Sequence, residues 1–186
     1  MLRFSFFFVG VGVLCALMIG IALAPLYQPT GSSVEGRATR SGWVIEGKDL
    51  LHMVPTRDFP IALPPGSLGE LVGVRMTTDI ELLSETMSQK SVRLNLGRNL
   101  AHQVTTRPMR VIIQVRATPM LPSSSMAIGW VVNGQVTWVK QPVTSSFTAV
   151  QFNLPQPKTP PTALAIWPSV EGDNGGIEVK SILVAN

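Results

Sequence analysis

Met109-Arg-Val-Ile-Ile-Gln-Val-Arg116 is the stretch that decides the fold class. Arg110, Ile112, Gln114 and Arg116 fall on one side of an extended chain, and Val111, Ile113, Val115 and Ala117 on the other. A period of two with one apolar side is a half-buried strand, its second set in the core and its first facing solvent or a ligand. Similar short runs follow at 126–132, 136–139, 147–154, 162–167 and 176–184. Between them lie Pro119 to Ser125, Asn133-Gly134, the proline-rich Pro155 to Pro161, and Gly172 to Gly176. Short strands punctuated in this way predict an all-β protein, a sandwich or a barrel. Asn133-Gly134 is a type I′ hairpin signal, and Gly172 to Gly176 reads as a second hairpin turn joining the last two strands.

Upstream, Gly42 to Glu46 and Leu50 to Val54 read as a pair of strands turning at Gly47-Lys-Asp49. Leu68 to Thr77 alternates, with Leu71, Gly73, Arg75 and Thr77 opposite Val72, Val74 and Met76. Ile80 to Ser88 fits a helical turn or a strand equally. Ser91 to Leu96 alternates cleanly, with Val92, Leu94 and Leu96 on its apolar side.

The mean hydropathy of +0.29 is high, and much of the excess lies in the first thirty residues. Phe6 to Ala24 is an unbroken apolar and glycine run between Arg3 and Pro25, about 28 Å long as a helix and so close to a bilayer's hydrocarbon thickness. Ala22-Leu-Ala24 resembles a cleavage site, but Pro25 would then begin the mature chain, and the run exceeds an ordinary signal core. Residues 1–25 are therefore expected to be a retained single-pass anchor (an uncleaved signal), residues 26–41 a flexible tether and residues 42–186 a β domain. The short leading tail favours an inside N-terminus and a domain in the periplasm or outside the cell. Cys15 is the only cysteine and lies in the apolar run, so thiolate chemistry is excluded from the rest.

The net charge of +4 is unevenly spread. No acid occurs between Thr86 and Val170, where Lys90, Arg93, Arg98, Arg107, Arg110, Arg116, Lys140 and Lys158 all fall. Such a surface attracts anionic partners, unless its charges pair across strands after folding. No basic–aromatic motif of single-strand-binding type is present, and nucleic acid is not expected as a partner.

Gly42-Trp43, the long strand ending at Thr118-Pro119, Ile128-Gly-Trp130, Phe147 to Leu154 ending in proline, and Gly176 to Val184 together resemble the galactose-binding-like jelly rolls of carbohydrate-binding modules. The resemblance spans 42–186. It implies a jelly-roll β-sandwich whose last strand closes beside the first, a sugar site on a sheet face or among loops, and often a structural calcium. No clear acidic cluster of calcium-ligand type stands near the first strand beyond Glu46 and Asp49, so no cofactor is expected.

A sugar site needs aromatic rings to stack on pyranose faces and polar neighbours for the hydroxyls. Of Trp43, Trp130, Trp138 and Trp167, the expected ligand-binding residues are Trp138, beside the hairpin and followed on the same face by Lys140, and Trp167 at a strand end before Pro168. Arg110, Gln114 and Arg116 are expected to bond a carboxylated or sulfated glycan. His52 and His102 have no metal-ligand neighbour at useful spacing, and no catalytic or metal site is expected. The expected function is a membrane-anchored, non-enzymatic extracytoplasmic module binding anionic envelope glycan. The alternative is a structural or assembly subunit of a cell-envelope protein complex.

Overall fold

The computed structural model describes residues 32–54, 61–62, 73–77, 91–168 and 175–185. Among them are thirteen strands in two antiparallel sheets that share one apolar core. The strands are β1 (Arg37–Thr39), β2 (Gly42–Glu46), β3 (Met53–Val54), β4 (Ile61–Ala62), β5 (Val74–Thr77), β6 (Val92–Asn95) and β7 (Arg110–Ala117). They continue with β8 (Ser125–Val132), β9 (Gln135–Val136), β10 (Val139–Pro142), β11 (Thr148–Asn153), β12 (Ala163–Trp167) and β13 (Gly176–Ala185). A helix, α1 (Arg98–Thr106), sits between β6 and β7.

The first sheet is built on β13. Its one edge pairs with β7 from Ile177↔Ala117 to Ala185↔Arg110, with a bulge between Val179 and Ser181. Its other edge pairs with β5 at Gly176 to Val179 and with β2 at Ser181 to Ala185. β11 extends the sheet beyond β7, β1 beyond β2 and β4 beyond β5. The second sheet runs β10-β8-β12-β6-β3, with β9 continuing the β10 edge. Val111, Ile113, Val115 and Ala117 are buried as their alternation requires, and face a core that includes Met126, Ile128, Leu94, Leu164 and Ile166 from the second sheet. β8 and β12 are buried along nearly their whole length, which is why they read as continuous apolar runs.

Three local expectations are revised. Residues 47–52 form a 3-10 turn instead of a hairpin turn and second strand. Gly47, at φ +57, starts it, Leu50 is buried in the core, and Met53–Val54 pairs with β6 in the other sheet. The hairpin expected at Gly172 to Gly176 is not formed, since β12 and β13 on either side of it belong to different sheets. The tether expected over residues 26–41 is, from residue 32 onward, part of the domain. Val34 is buried and bridges Leu96, its N–H bonding Asn95 O at 2.8 Å, and Arg37–Thr39 forms β1. The apolar run at 6–24 and the segment 80–88 lie outside the described residues. Among the described residues no helix is long and apolar enough to cross a membrane.

α1 carries Leu100, Ala101 and Val104 on its buried side. Gly97 precedes it without a side-chain cap. Glu35, delivered by the Val34 bridge, accepts from the N–H groups of Asn99 at 3.4 Å and Leu100 at 3.3 Å, placing a carboxylate at the positive end of the helix dipole. Replacing Glu35 by Ala is expected to cost about 1 kcal/mol. Hydrogen exchange at the Asn99 and Leu100 amides should accelerate while the β7 amides stay protected, and equal acceleration in both places would refute the cap.

Candidate functional site

One end of the sandwich gathers the β8–β9 turn, the β11–β12 loop and α1. The turn is tight because Asn133 and Gly134 both take positive φ, 50° and 78°, the type I′ geometry that the Asn-Gly pair favours. The loop opposite, Pro155 to Pro161, has prolines at 155, 157, 160 and 161, with Pro157 and Pro161 buried. Gln156 Nε2 donates to Thr105 O at 2.6 Å, tying it to α1. Thr162 N donates to Val131 O at 2.9 Å, and Thr162 O accepts from Leu96 N at 3.0 Å, so its far end is stitched into the second sheet. Fixed φ angles and these anchors leave the loop little freedom to lose on binding.

Between turn and loop lies a cleft of about 500 Å³. Trp130, 6% exposed, and Val132 supply its apolar surface. Asn133, Gln135 and Gln156 bring amides to its walls, Thr137 and Thr159 hydroxyls, and Lys158 one cation. Its described lining holds no carboxylate and no imidazole. An indole beside amide and hydroxyl groups suits a ring with apolar C–H faces and hydroxyls at its edge.

The residues expected from the sequence to bind ligand are divided between two outer faces. Trp138, Lys140 and Trp167 come together on the outside of the second sheet. Trp138 stands edge-to-face with Trp167, centroids 5.9 Å apart at 76°, and packs on Val131, Ala163 and Ala165. Lys140 and Trp167 flank Ala127 in one cross-strand row, with Lys140 exposed and Trp167 buried. Arg110, Gln114 and Arg116 share the outside of the first sheet, where Gln114 lies between Ala149 and Ser181, and Arg110 between Asn153 and Ala185.

Arg116 has a partner in its own sheet. Its Nε and a terminal nitrogen reach Glu178 Oε2 at 2.7 and 2.6 Å, and its guanidinium lies 4.6 Å from the Phe147 ring centre. Arg75 holds the other oxygen, Oε1, at 3.1 and 2.5 Å. The Glu178 side chain is only 2% exposed, and its burial pushes the carboxyl pKa up. The hydrogen bonds and charges of Arg75 and Arg116 outweigh that and hold it below the ordinary value. The basic residues of the acid-free stretch do not form one patch. Arg107 lies over Trp43 at 5.9 Å, Lys158 lines the cleft, and Arg116 belongs to the Glu178 cluster.

Among the four candidate tryptophans the sequence favours Trp138 and Trp167, whereas the cleft is lined by Trp130. The signal that marks it is position, three residues before the Asn of an Asn-Gly turn, where a strand residue nears the end of the sheet.

No protein-family model matches the chain, and no curated protein matches it. A solved structure described as BiXyn10A CBM1 APO is similar over 78% of this chain and 89% of that one, at 8% identity and a TM-score of 0.44.

Proposed function

We propose that the domain is a non-catalytic carbohydrate-binding module of jelly-roll type whose site is the cleft over Trp130. The observation that carries this reading is the cleft's chemistry: an indole, three amides, two hydroxyls and one ammonium around a preordered proline loop, with no described acid or base positioned for bond cleavage. Lys158 gives the site a preference for ligands that bear negative charge, the acidic glycans of a cell envelope among them. In the same reading the apolar run at 6–24 anchors the chain in a membrane, with the domain in the periplasm or outside the cell.

The test is a glycan array probed with the full chain in a detergent that has no sugar headgroup, followed by calorimetry on the glycans that bind. Gln135→Ala and Lys158→Ala alter exposed side chains and should leave folding intact. Each is expected to weaken binding about three- to tenfold, the value of one hydrogen bond or one charged contact. Trp130→Phe keeps an aromatic filler and should weaken it further. A folded chain that binds no glycan refutes the reading.

One observation favours a second reading, an assembly subunit of a protein complex. At the opposite end of the sandwich Met120 and Leu121, between Pro119 and Pro122, are 90% and 53% exposed, a pairing that suits a protein contact. Pull-down of one partner by the wild type and not by a Met120→Ser, Leu121→Ser double variant, together with a silent array, would select it.

A further inference from the structure

A second cleft, about 630 Å³, lies on the other side of the proline loop, between α1 and Pro160 to Thr162. We infer that it is a second subsite, taking a carboxylated ring of an acidic glycan whose neighbouring ring occupies the Trp130 cleft. The inference rests on the proposed carbohydrate-binding reading and adds the class of sugar.

Four polar side chains enter this cleft from two successive turns of α1. Arg98 and His102 are four residues apart, as are Asn99 and Gln103, so each pair stacks along one side of the helix. Among the described residues no hydrogen bond or ion pair engages the side chains of Arg98, Asn99 or His102. Glu35, at the N-terminal end of the helix, is already directed at the backbone N–H groups of Asn99 and Leu100. A guanidinium with no partner among the described residues, on a fixed element beside donor and acceptor amides, is the group that takes a carboxylate in two parallel bonds. Lysine at this position would offer a point charge without that fork. Apart from Thr162 the remaining lining is aliphatic: Leu96, Ala101, Pro160 and Pro161. C–H surface of this kind accepts the apolar face of a saturated ring, and the amides then meet its hydroxyls.

The two clefts are spaced for one ligand. Residues 155–159 line the first and 160–162 the second, so a single loop divides them. Thr162 bonds Val131 on one side and Leu96 on the other, which puts those two residues two strand spacings apart, about 10 Å. An oligosaccharide of a few rings spans that distance across the loop's crest. Lys158 on one side of the crest and Arg98 on the other then favour a chain carrying negative charge at intervals.

Hexamers of galacturonate, mannuronate and a glucuronate-containing repeat, each as free acid and as full methyl ester, test this with the full chain. Esterification removes the charge and keeps the ring. The wild type is expected to bind at least one acid about tenfold tighter than its ester, with the difference shrinking at high salt. Arg98→Ala should remove most of the gap between acid and ester, leaving the share that Lys158 supplies, without changing the ester's affinity, and Arg98→Lys should recover only part of what is lost. Gln135→Ala, in the other cleft, should weaken acid and ester alike. If Arg98→Ala leaves the acid-to-ester ratio intact while Gln135→Ala weakens both, the second subsite is refuted and the carbohydrate-binding reading stands. If none of the acids binds better than its ester, the subsite is likewise refuted. If the neutral glycans of the array also fail, the broader reading falls with it.

Discussion

Replacing Glu178 by Gln is expected to lower the melting temperature by about 6–12 °C, the equivalent of about 3 kcal/mol in a domain of this size. The carboxylate is almost fully enclosed and accepts from both Arg75 and Arg116. An amide can accept from one guanidinium but turns its own N–H₂ group toward the other. The lower end of the range for a broken buried pair applies because both arginines keep some contact with water, at 22% and 35% exposure, and are partly solvated when left alone. The same residue fixes an acid sensitivity. Its folded pKa lies below the ordinary glutamate value of 4.5, so its contribution is complete above that value and fades as the pH falls through the folded pKa. Denaturant titrations from pH 7 downward should therefore show the wild type losing its advantage over Glu178→Gln below about pH 4.5. A constant gap between the two proteins down to the lowest pH would show that the ionised carboxylate is not what stabilises the cluster.

Gly129→Ala should damage both stability and binding. A Cβ on Gly129 would stand 2.4 Å from Thr137 O and 2.6 Å from Val136 Cγ1, and a backbone carbonyl cannot swing aside as a side-chain tip can. Residues 136–138 must then lift off β8, at a cost of about 1–3 kcal/mol typical of overpacking. Thr137 lines the Trp130 cleft, and Trp138 is the neighbour that meets Trp167 edge-to-face. The displacement should thus appear in two independent signals: a fall in glycan affinity of about tenfold, and a change in the near-ultraviolet circular dichroism of the tryptophan pair. An Ala variant with wild-type dichroism and affinity would mean that the strand crossing yields elsewhere, and that the cleft does not depend on it.

The strands after Met109 were legible because their information is local. Alternation in β7 names the buried residues one by one, and Asn133-Gly134 names its own turn. Other features were illegible because they depend on residues far away in the chain. α1 has only three buried apolar positions, and its cap, Glu35, comes from a segment that reads as a polar linker. The run Leu50 to Val54 has strand composition, but Leu50 is needed in the core while the chain crosses from one sheet to the other. The residues expected to bind ligand show the same division. Alternation correctly placed Arg110, Gln114 and Arg116 on one face and Trp138 with Lys140 on another. Which strand belongs to which sheet is a matter of pairing, and only pairing reveals that these groups stand on opposite sides of the sandwich. The two clefts are more remote still from local pattern, because each has one wall from a strand end or helix and the other from a loop.

The strand at the centre of the first sheet, β13, is also the last of the described strands to be synthesised. Until residues 176–185 leave the ribosome, β7 has one bare edge, and the β1–β2 and β4–β5 pairs have no strand to join them to it. The second sheet is complete by Trp167 and can form earlier. Contacts such as Val184 with Trp43 join segments far apart in the chain and wait until β13 has been made. For that interval the growing chain displays open strand edges and half of an apolar core, the condition in which nascent β proteins aggregate. Those edges and that core close together when the ten residues of β13 take their place between β7 on one side and β2 and β5 on the other.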